Sequence, residues 1–286
     1  MQPIRNFVTE FEAELRAAED KPRINCRDCQ SPTVLDVKFD TEKLCDNCIT
    51  RREQWQQHRD QQRAFRDRQR NSGLPEEFHN LRLSEYDPEY RTSDKAVIAQ
   101  RREIISAFEN LPFSASAQPV QRHVGAFILG PAGTGKTHLT AALCNRFCYH
   151  GYTPRWMDGR ALDDAITNEW GKSSREKFFK TRLAEEIAQH DVVFIEDLQI
   201  PGAQIPQWYS NALNDIANQL VIKKRLLFVT SNHRRKEALI TMDGQPLRGQ
   251  PKDLWLEKAY GESFTSRLAA LCKFYPLTGP DLRSIT

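Results

Sequence analysis

The chain has 286 residues, of which 39% are hydrophobic and 28% are charged, and its net charge is +3. This length allows one core domain with an appended module. The apolar runs are too short to cross a bilayer, and residues 1–20 mix charged side chains into the apolar positions, which excludes a signal peptide. We therefore expect a cytoplasmic protein without a membrane partner. The net charge is too small to indicate a ligand class.

The first predicted element is an amphipathic helix over residues 3–19. Its apolar face consists of Ile4, Phe7, Val8, Phe11 and Leu15. This face packs either on the chain's own domain or in a groove of another protein.

Two C-x-x-C pairs follow, with fifteen residues between them. The four cysteines are Cys26, Cys29, Cys45 and Cys48. Four thiolates at this spacing are typical of a structural site for Zn²⁺, and residues 33–39 read as a short strand, so a zinc ribbon is expected. Two disulfides are the alternative, which a chain without a secretion signal disfavours. We assign residues 1–50 to an N-terminal helix and a zinc-binding module.

A long polar helix is predicted from Thr50 to Asn71. Residues 51–70 hold seven arginines against three acids. This excess of positive charge is either a nucleic-acid contact or a solvated linker helix, and only Trp55 and Phe65 offer apolar anchoring. The Gly and Pro that follow end the helix. We therefore place a linker helix at residues 51–72 and the main domain at residues 73–286.

The main domain contains a phosphate-binding loop. After a predicted helix that starts at Ser93 or Asp94, an apolar strand (residues 126–129) precedes a G-x-x-x-x-G-K-[ST] sequence and a helix (residues 137–148). Backbone N–H groups at such a helix N-terminus donate hydrogen bonds to phosphate oxygens. The alternative is a chance glycine turn, which the order of strand, loop and helix disfavours. The predicted nucleotide-binding residues are Gly130, Pro131, Ala132, Gly133, Thr134, Gly135, Lys136, Thr137 and His138.

Two helices follow a strand at residues 151–157, and the region around the second is basic and aromatic. The helices are predicted at residues 158–170 and 173–189. The basic residues are Lys172, Arg175, Lys177, Lys180 and Arg182, and the aromatic ones are Trp170, Phe178 and Phe179. Rings that stack on bases and cations that follow phosphates suit single-stranded nucleic acid. A core helix with a solvated basic face is the alternative.

Two further buried strands end in polar residues. The strand at residues 191–197 ends in Glu196 and Asp197, and the strand at residues 225–232 ends in Asn232. One carboxylate can hold the shell of Mg²⁺ that Thr137 ligates, and a second can orient the attacking water. The alternative is that the two acids are ordinary solvated surface residues without a functional role. Because the strands are continuously apolar, we expect a parallel sheet with helices on both sides.

The last predicted elements are a helix at residues 262–272 and a strand at residues 273–277, after a Gly- and Pro-rich loop at residues 241–252. Three remaining cysteines, Cys144, Cys148 and Cys272, fall on apolar faces of core elements. An ordinary buried thiol is expected at each of them.

The motifs together resemble those of AAA+ ATPases of the DnaC type, the replicative helicase loaders, and of the related transposition ATPase IstB. The likeness covers about residues 71–286 and includes Val-Phe-Ile-Glu-Asp-Leu, Val-Thr-Ser-Asn, Ser-Arg-Leu and Gly-Pro-Asp-Leu-Arg besides the phosphate loop. The resemblance implies an α/β P-loop core with a parallel sheet and no separate lid domain. Phage members of this family often carry a cysteine-rich N-terminal module.

The resemblance also implies roles for individual residues. Lys136 and Thr137 match the Walker A pair, Glu196 and Asp197 the Walker B pair, Asn232 the sensor I residue, Arg267 the arginine finger that acts on a neighbouring subunit, and Arg283 the family's C-terminal arginine. The family usually has Asp where Glu196 stands, so slow hydrolysis is expected here. The spacing of Phe264, Leu268 and Leu271 predicts that Arg267 points off the packed face, and an internal ion pair is the alternative.

As a function, the resemblance implies an ATP-dependent loader that binds single-stranded DNA as a homo-oligomer and delivers or remodels a replicative helicase. The N-terminal region is then the part that contacts the helicase. A transposition ATPase that binds duplex DNA and a transposase is one alternative. A nucleotide-gated scaffold with incidental hydrolysis is another. The expected cofactors are ATP, Mg²⁺ and Zn²⁺.

Overall fold

The computed structural model describes residues 23–34, 44, 46–111, 113, 125–172, 179–198, 207–232 and 262–283. The chain divides into two compact units, residues 1–63 and 64–286. The predicted helix at residues 3–19, Cys45, the start of the basic helix at residues 173–178 and the loop at residues 241–252 lie outside the described residues. Of the helices described, none is both long and apolar enough to cross a membrane.

The first unit contains a β-hairpin and the beginning of a long helix. Strand β1 (Arg23–Asn25) pairs antiparallel with β2 (Pro32–Val34), and helix α1 runs from Asp46 to Ser72. The turn between the strands is closed by two backbone hydrogen bonds with Cys26, and Gln30 has a positive φ of 61° within it. The predicted strand therefore begins at Pro32, and its remainder, residues 35–39, lies outside the described part.

The second unit is an α/β domain. Its strands are β3 (Gly125–Gly130), β4 (Pro154–Asp158), β5 (Val192–Glu196), β6 (Leu226–Asn232) and β7 (Cys272–Pro276). Its helices after α1 are α2 (Lys95–Glu109), α3 (Lys136–Tyr149), α4 (Gly159–Lys172), α5 (Phe179–Ile187), α6 (Gln207–Ile222) and α7 (Glu262–Leu271), with short 3₁₀ turns at Glu76–Phe78 and Leu83–Glu85. Asp94 caps α2, as predicted, because its carboxylate accepts a hydrogen bond from the Ala96 N–H.

The five strands of this unit form one parallel sheet in the order β4-β5-β6-β3-β7. Alternate side chains of β3 enter different cores, because successive residues of a strand point to opposite faces. Phe127 packs in the core that includes residues of α4, α5, α6 and α7, whereas Ile128 packs in the core that includes residues of α2 and α3. The predicted fold class, a parallel sheet with helices on both sides, is thus confirmed.

Two features of the chain differ from the sequence-based expectation. The compact units divide at residue 63, within α1 and not after it, so the end of this helix belongs to the second unit. Within that unit the Gln69 amide donates to the His79 carbonyl and to Asn145, and Arg68 donates to the Cys148 carbonyl. No element was predicted between residues 197 and 225, where α6 lies. Its buried residues at 213, 216, 217 and 220 have the helical spacing that identifies it.

Candidate nucleotide-binding site

The carboxyl ends of β3, β5 and β6 meet at a cleft of about 630 Å³, a volume typical of ligand sites. The phosphate-binding loop between β3 and α3 forms its floor. Gly133 and Gly135 have positive φ values of 81° and 95°, which side chains other than glycine rarely adopt. Register places Gly130 of β3 opposite Asn232 of β6, so the loop and the predicted sensor residue begin side by side.

Lys136 is buried at the start of α3. Its ammonium group donates hydrogen bonds of 2.9 Å to the Gly130 carbonyl, 2.8 Å to the Pro131 carbonyl and 2.9 Å to the side-chain oxygen of Asn232. Burial lowers the pKa of Lys136 to about 8, although the carboxylates of Glu196 and Asp197 act in the opposite direction. The cleft thus contains an amine whose protonation depends on the charge of any bound ligand.

Glu196 lies at the end of β5 against the first turns of α3. Its carboxylate accepts hydrogen bonds from the hydroxyl groups of Thr137 and Thr140. Burial raises its pKa, and these hydrogen bonds oppose the rise. A hydroxyl beside a carboxylate is an oxygen donor set that Mg²⁺ accepts, so Thr137 and Glu196 fit the predicted metal site.

Asp197 contacts different residues from Glu196, although the two acids are adjacent in the chain. Its φ of 53° lies in the left-handed region, and its N–H donates a hydrogen bond of 2.9 Å to the Thr230 hydroxyl. Its carboxylate accepts a hydrogen bond from the Asn232 amide. The two acids therefore have separate partners, Glu196 with two threonines of α3 and Asp197 with the sensor position.

Asn232 connects Lys136 to Asp197, because its side-chain oxygen accepts from the ammonium and its amide donates to the carboxylate. These three side chains line one cleft with Thr137 and Glu196. A carboxylate held beside an amide and an ammonium can orient a water molecule for attack on a phosphate.

The segment from Glu85 to Tyr90 forms a wall of the cleft that the sequence did not predict. The Tyr86 hydroxyl donates a hydrogen bond of 3.3 Å to the Thr134 carbonyl, and its ring meets the edge of His138 at 5.3 Å between centroids. A Cβ at Gly135 would lie 2.8 Å from the Tyr86 hydroxyl oxygen. Residues 76–92 have no helix or strand periodicity, so no sequence signal associated them with the loop.

The C-terminal segment forms another wall, and it brings Arg283 into the cleft. The Leu282 N–H donates a hydrogen bond of 2.9 Å to the Gly133 carbonyl. The Arg283 guanidinium forms an exposed ion pair with Asp281 at 3.2 Å. Its positive charge contributes to the lowered pKa of Lys136. Arg283 is thus in the same cleft as the Walker residues of its own chain.

Arg267 does not line the cleft of its own chain, and it does not point freely off α7 as the spacing predicted. Its guanidinium donates to the side-chain oxygens of Asn214 and Asn218 on α6 and to Ser263 one turn earlier on α7. Within the described residues it forms no ion pair with a carboxylate, so the alternative of an internal ion pair is not observed there either. The predicted action on a neighbouring subunit stays a prediction.

The hairpin and the start of α1 bring three of the four predicted zinc ligands together. The sulfur atoms of Cys26, Cys29 and Cys48 lie within 4.8 Å of one another. Thiolates so placed fit a tetrahedral metal site that a fourth ligand completes. A bidentate pair links the same two elements, because Arg52 of α1 donates to both carboxylate oxygens of Asp28 at 2.9 and 2.8 Å. The other cysteines, Cys144, Cys148 and Cys272, are buried as predicted.

The predicted DNA-binding segment is only partly described. Lys177 and Phe178 lie outside the described residues, as do the side chains of Trp170 and Lys180, whereas Arg182 is exposed on α5. On α1, Arg52 and Arg68 already have partners within their own units. Trp55 is 60% exposed, and the Arg59 guanidinium lies 4.6 Å from the centre of its ring.

The sequence model of the family described as IstB-like ATP binding protein matches residues 30–237. The chain therefore belongs to this family, and it is an ATP-binding protein of the AAA+ class. A comparison with curated protein sequences gives no match.

Several solved structures are similar to this chain. The structure titled DnaI has 20% sequence identity and a TM-score of 0.49, with 74% of this chain and 95% of that chain covered. The DnaC helicase loader has 17% identity and a TM-score of 0.49, with 71% and 99% covered. The AMPPCP-bound DnaA from Aquifex aeolicus has 16% identity and a TM-score of 0.45, with 72% and 51% covered.

Proposed function

We propose that this chain is a Mg²⁺-dependent ATPase that works as a homo-oligomer and loads or remodels a replicative helicase on single-stranded DNA. The observation that supports hydrolysis is the hydrogen-bonded series of Lys136, Asn232 and Asp197, which lies beside the pair of Thr137 and Glu196. ATP hydrolysis needs a cation on the phosphates, ligands for the metal and a carboxylate near the attacking water. Each of these groups has a candidate in the cleft.

The roles follow from the partners of each side chain. Lys136 binds the β- and γ-phosphates, exchanging its bonds to backbone carbonyls for charge-assisted bonds to phosphate oxygens. Thr137 and Glu196 hold the metal ion, which when bound neutralises charge on those phosphates. Asp197, held by Asn232, orients the water and accepts its proton. Arg283 supplies a second positive charge in the same cleft.

The test of the nucleotide site is the Lys136→Ala variant. We expect it to lose ATP binding in a fluorescence or calorimetric titration, because no other amine of the described residues lies in the cleft. Lys95→Ala, which removes an exposed lysine from α2, is the matched control and should bind as the unchanged protein does. An unchanged affinity in Lys136→Ala contradicts the site assignment.

The proposed role as a helicase loader is supported by the sequence motifs, which resemble those of the DnaC-type loaders. In this role the chain's partners are a replicative helicase and single-stranded DNA. A transposition ATPase is the second candidate, which the IstB-like family match favours. Affinity capture with the full chain in Mg²⁺ and ATP distinguishes the two. Recovery of a hexameric helicase supports the loader, whereas recovery of a transposase without a helicase supports the second candidate. ATP-dependent oligomers that capture neither protein favour the nucleotide-gated scaffold.

A further inference from the structure

We propose that Arg101 is a positioning residue of the nucleotide site, which fixes the segment from Glu85 to Tyr90 as the wall that contacts the base and ribose. This inference rests on the proposed function, because it assumes that a nucleotide occupies the cleft. Arg101 lies on α2, in a region where the sequence predicted only an ordinary helix.

The assignment of the wall follows from the chemistry of the cleft. Lys136, Thr137 and Glu196 occupy the part of the cleft that suits phosphates and a metal ion. The remaining lining includes the aromatic rings of Tyr86 and Tyr90. Aromatic side chains stack on flat rings such as a nucleobase, so this part of the cleft suits the base and ribose.

Arg101 is a buried cation. Its side chain is fully enclosed, with 0% of the residue exposed, and among the described residues no carboxylate forms an ion pair with it. Its Nη1 atom donates hydrogen bonds of 3.0 Å to the Pro88 carbonyl and 2.8 Å to the Tyr90 carbonyl. The Nε and Nη2 atoms are buried without an acceptor. Burying a charge with donors unsatisfied is costly, and such a group calls for an explanation beyond packing.

The two carbonyls that Arg101 holds belong to the turn that follows Tyr86. The Asp87 carboxylate accepts a 2.9 Å hydrogen bond from the Glu89 N–H within the same turn. Tyr86 itself contacts the phosphate loop through its hydroxyl. The bonds from one nitrogen to two carbonyls of this turn therefore fix the backbone that carries the rings of Tyr86 and Tyr90.

The same helix also holds the segment that leads to Leu282 and Arg283, which line the cleft. The side-chain oxygen of Gln100 accepts hydrogen bonds from Thr278, 3.0 Å from its N–H and 2.9 Å from its hydroxyl. The next residue, Gly279, has a φ of 127° and approaches Arg101 so closely that a Cβ there would lie 3.3 Å from Nη2. Adjacent residues of α2 thus fix the segment before Tyr90 and the segment before Arg283.

Loss of the Arg101 guanidinium removes the hydrogen bonds that hold the segment from Glu85 to Tyr90, which we call the base wall. The bonds of Lys136, Thr137 and Glu196 stay in place. Affinity should therefore fall for ligands that carry a base, and it should not fall for a ligand that consists of phosphates alone. A role of Arg101 in overall stability alone would affect both classes of ligand equally.

The experiment compares Arg101→Met with the unchanged full chain for ATP, ADP and inorganic tripolyphosphate, each with Mg²⁺, by calorimetry or competition. We expect ATP and ADP to bind about tenfold more weakly, since hydrogen bonds from a charged donor are lost, and tripolyphosphate to bind as before. Lys95→Met, which removes an exposed charge from the same helix, is the control. If Arg101→Met does not fold, Arg101→Lys replaces it in the experiment, because lysine keeps the positive charge but lacks the planar set of N–H donors. Arg101→Lys should also bind ATP and ADP more weakly and tripolyphosphate as before.

Equal losses for ATP and tripolyphosphate, or an unchanged affinity for ATP in both variants, would overturn the proposal. Failure of the unchanged chain to bind ATP at all would instead contradict the proposed function.

Discussion

The ammonium of Lys136 lies 2.9 Å from the side-chain oxygen of Asn232, although the two residues are 96 positions apart in the chain. They meet because β3 and β6 are parallel neighbours, with Gly130 in register with Asn232. The same asparagine donates to Asp197, so three strand ends share one hydrogen-bonded series.

The affinity for ATP should fall as the pH rises above about 8. Burial places the pKa of Lys136 at about 8, and the triphosphate binds the charged amine, so the bound nucleotide raises this pKa. Below about pH 8 the amine is already charged and this contribution is complete. Above it, binding must take up a proton, and affinity declines by up to about tenfold for each pH unit until the pKa of the complex is reached.

Calorimetry at high pH in two buffers of different ionisation enthalpy measures that proton uptake directly. An affinity that stays constant while the pH rises well above 8, with no proton uptake, would show that Lys136 does not bind the phosphates. Tripolyphosphate should follow the same profile as ATP, because the effect needs no base.

Asp197→Asn should keep ATP binding and lose hydrolysis by about two to four orders of magnitude, the usual contribution of a general base. The amide can still contact Asn232 but cannot accept a proton from water. Glu196→Gln should instead weaken the Mg²⁺ dependence of binding, because Glu196 contacts Thr137. Phosphate release and nucleotide titration of both variants separate the two acids. Equal effects of the two substitutions on both measurements would refute this division of roles.

One Zn²⁺ per chain is expected in protein purified without chelator. Replacing Cys26 or Cys29 by serine should release the metal and unfold residues 24–50, while the nucleotide-binding domain stays folded. Cys272→Ala, which removes a buried thiol of the second unit, is the control and should leave the zinc content unchanged. Metal analysis and limited proteolysis provide the measurements. A zinc content near zero in the unchanged chain would favour the disulfide or free-thiol alternative.

Single-stranded DNA binding should depend on residues 170–182 and should weaken with salt. The test replaces Lys177, Lys180 and Arg182 together by glutamine and measures the affinity for an oligonucleotide at several salt concentrations. We expect a large loss and a smaller salt slope.

The comparison variant neutralises Arg51, Arg59 and Arg63 of α1. It spares Arg52 and Arg68, which bond within their own units. Loss of binding in this variant alone would move the DNA contact to the arginine-rich helix.

Arg267 is expected to act on the ATP of a neighbouring subunit. Arg267→Ala should bind ATP normally and lose hydrolysis by about three to five orders of magnitude, the range measured for arginine fingers. Mixing Arg267→Ala chains with Lys136→Ala chains should restore part of the activity, because an intact site forms between Lys136 of one chain and Arg267 of another. A mixture as inactive as its components would argue against the trans role. Its bonds to Asn214 and Asn218 would then describe its whole function.

Features that depend on short-range patterns could be predicted from the amino-acid sequence. Short motifs of a few residues identify the phosphate loop, the paired acids at the end of β5 and the cysteine pairs. Such motifs are recognisable because backbone turns and metal ligands impose fixed local spacings. Continuous apolar strands indicated a buried parallel sheet. The departure of Glu196 from the family pattern was also visible in the sequence, and the slow hydrolysis that it implies stays a prediction.

Contacts between residues far apart in the chain became known only from the three-dimensional fold. Tyr86 reaches Thr134, and Arg101 reaches Pro88 and Tyr90, through segments without periodicity, so no local pattern indicated those contacts. Strand order placed Asn232 beside Lys136. Helix spacing described only the packed face of α7, and the bonds of Arg267 depend on α6, which lies against it. Local propensity acts over one or two turns of chain, whereas the base wall, the sensor contact and the environment of Arg267 are set by long-range packing, which a single sequence does not encode in any one stretch.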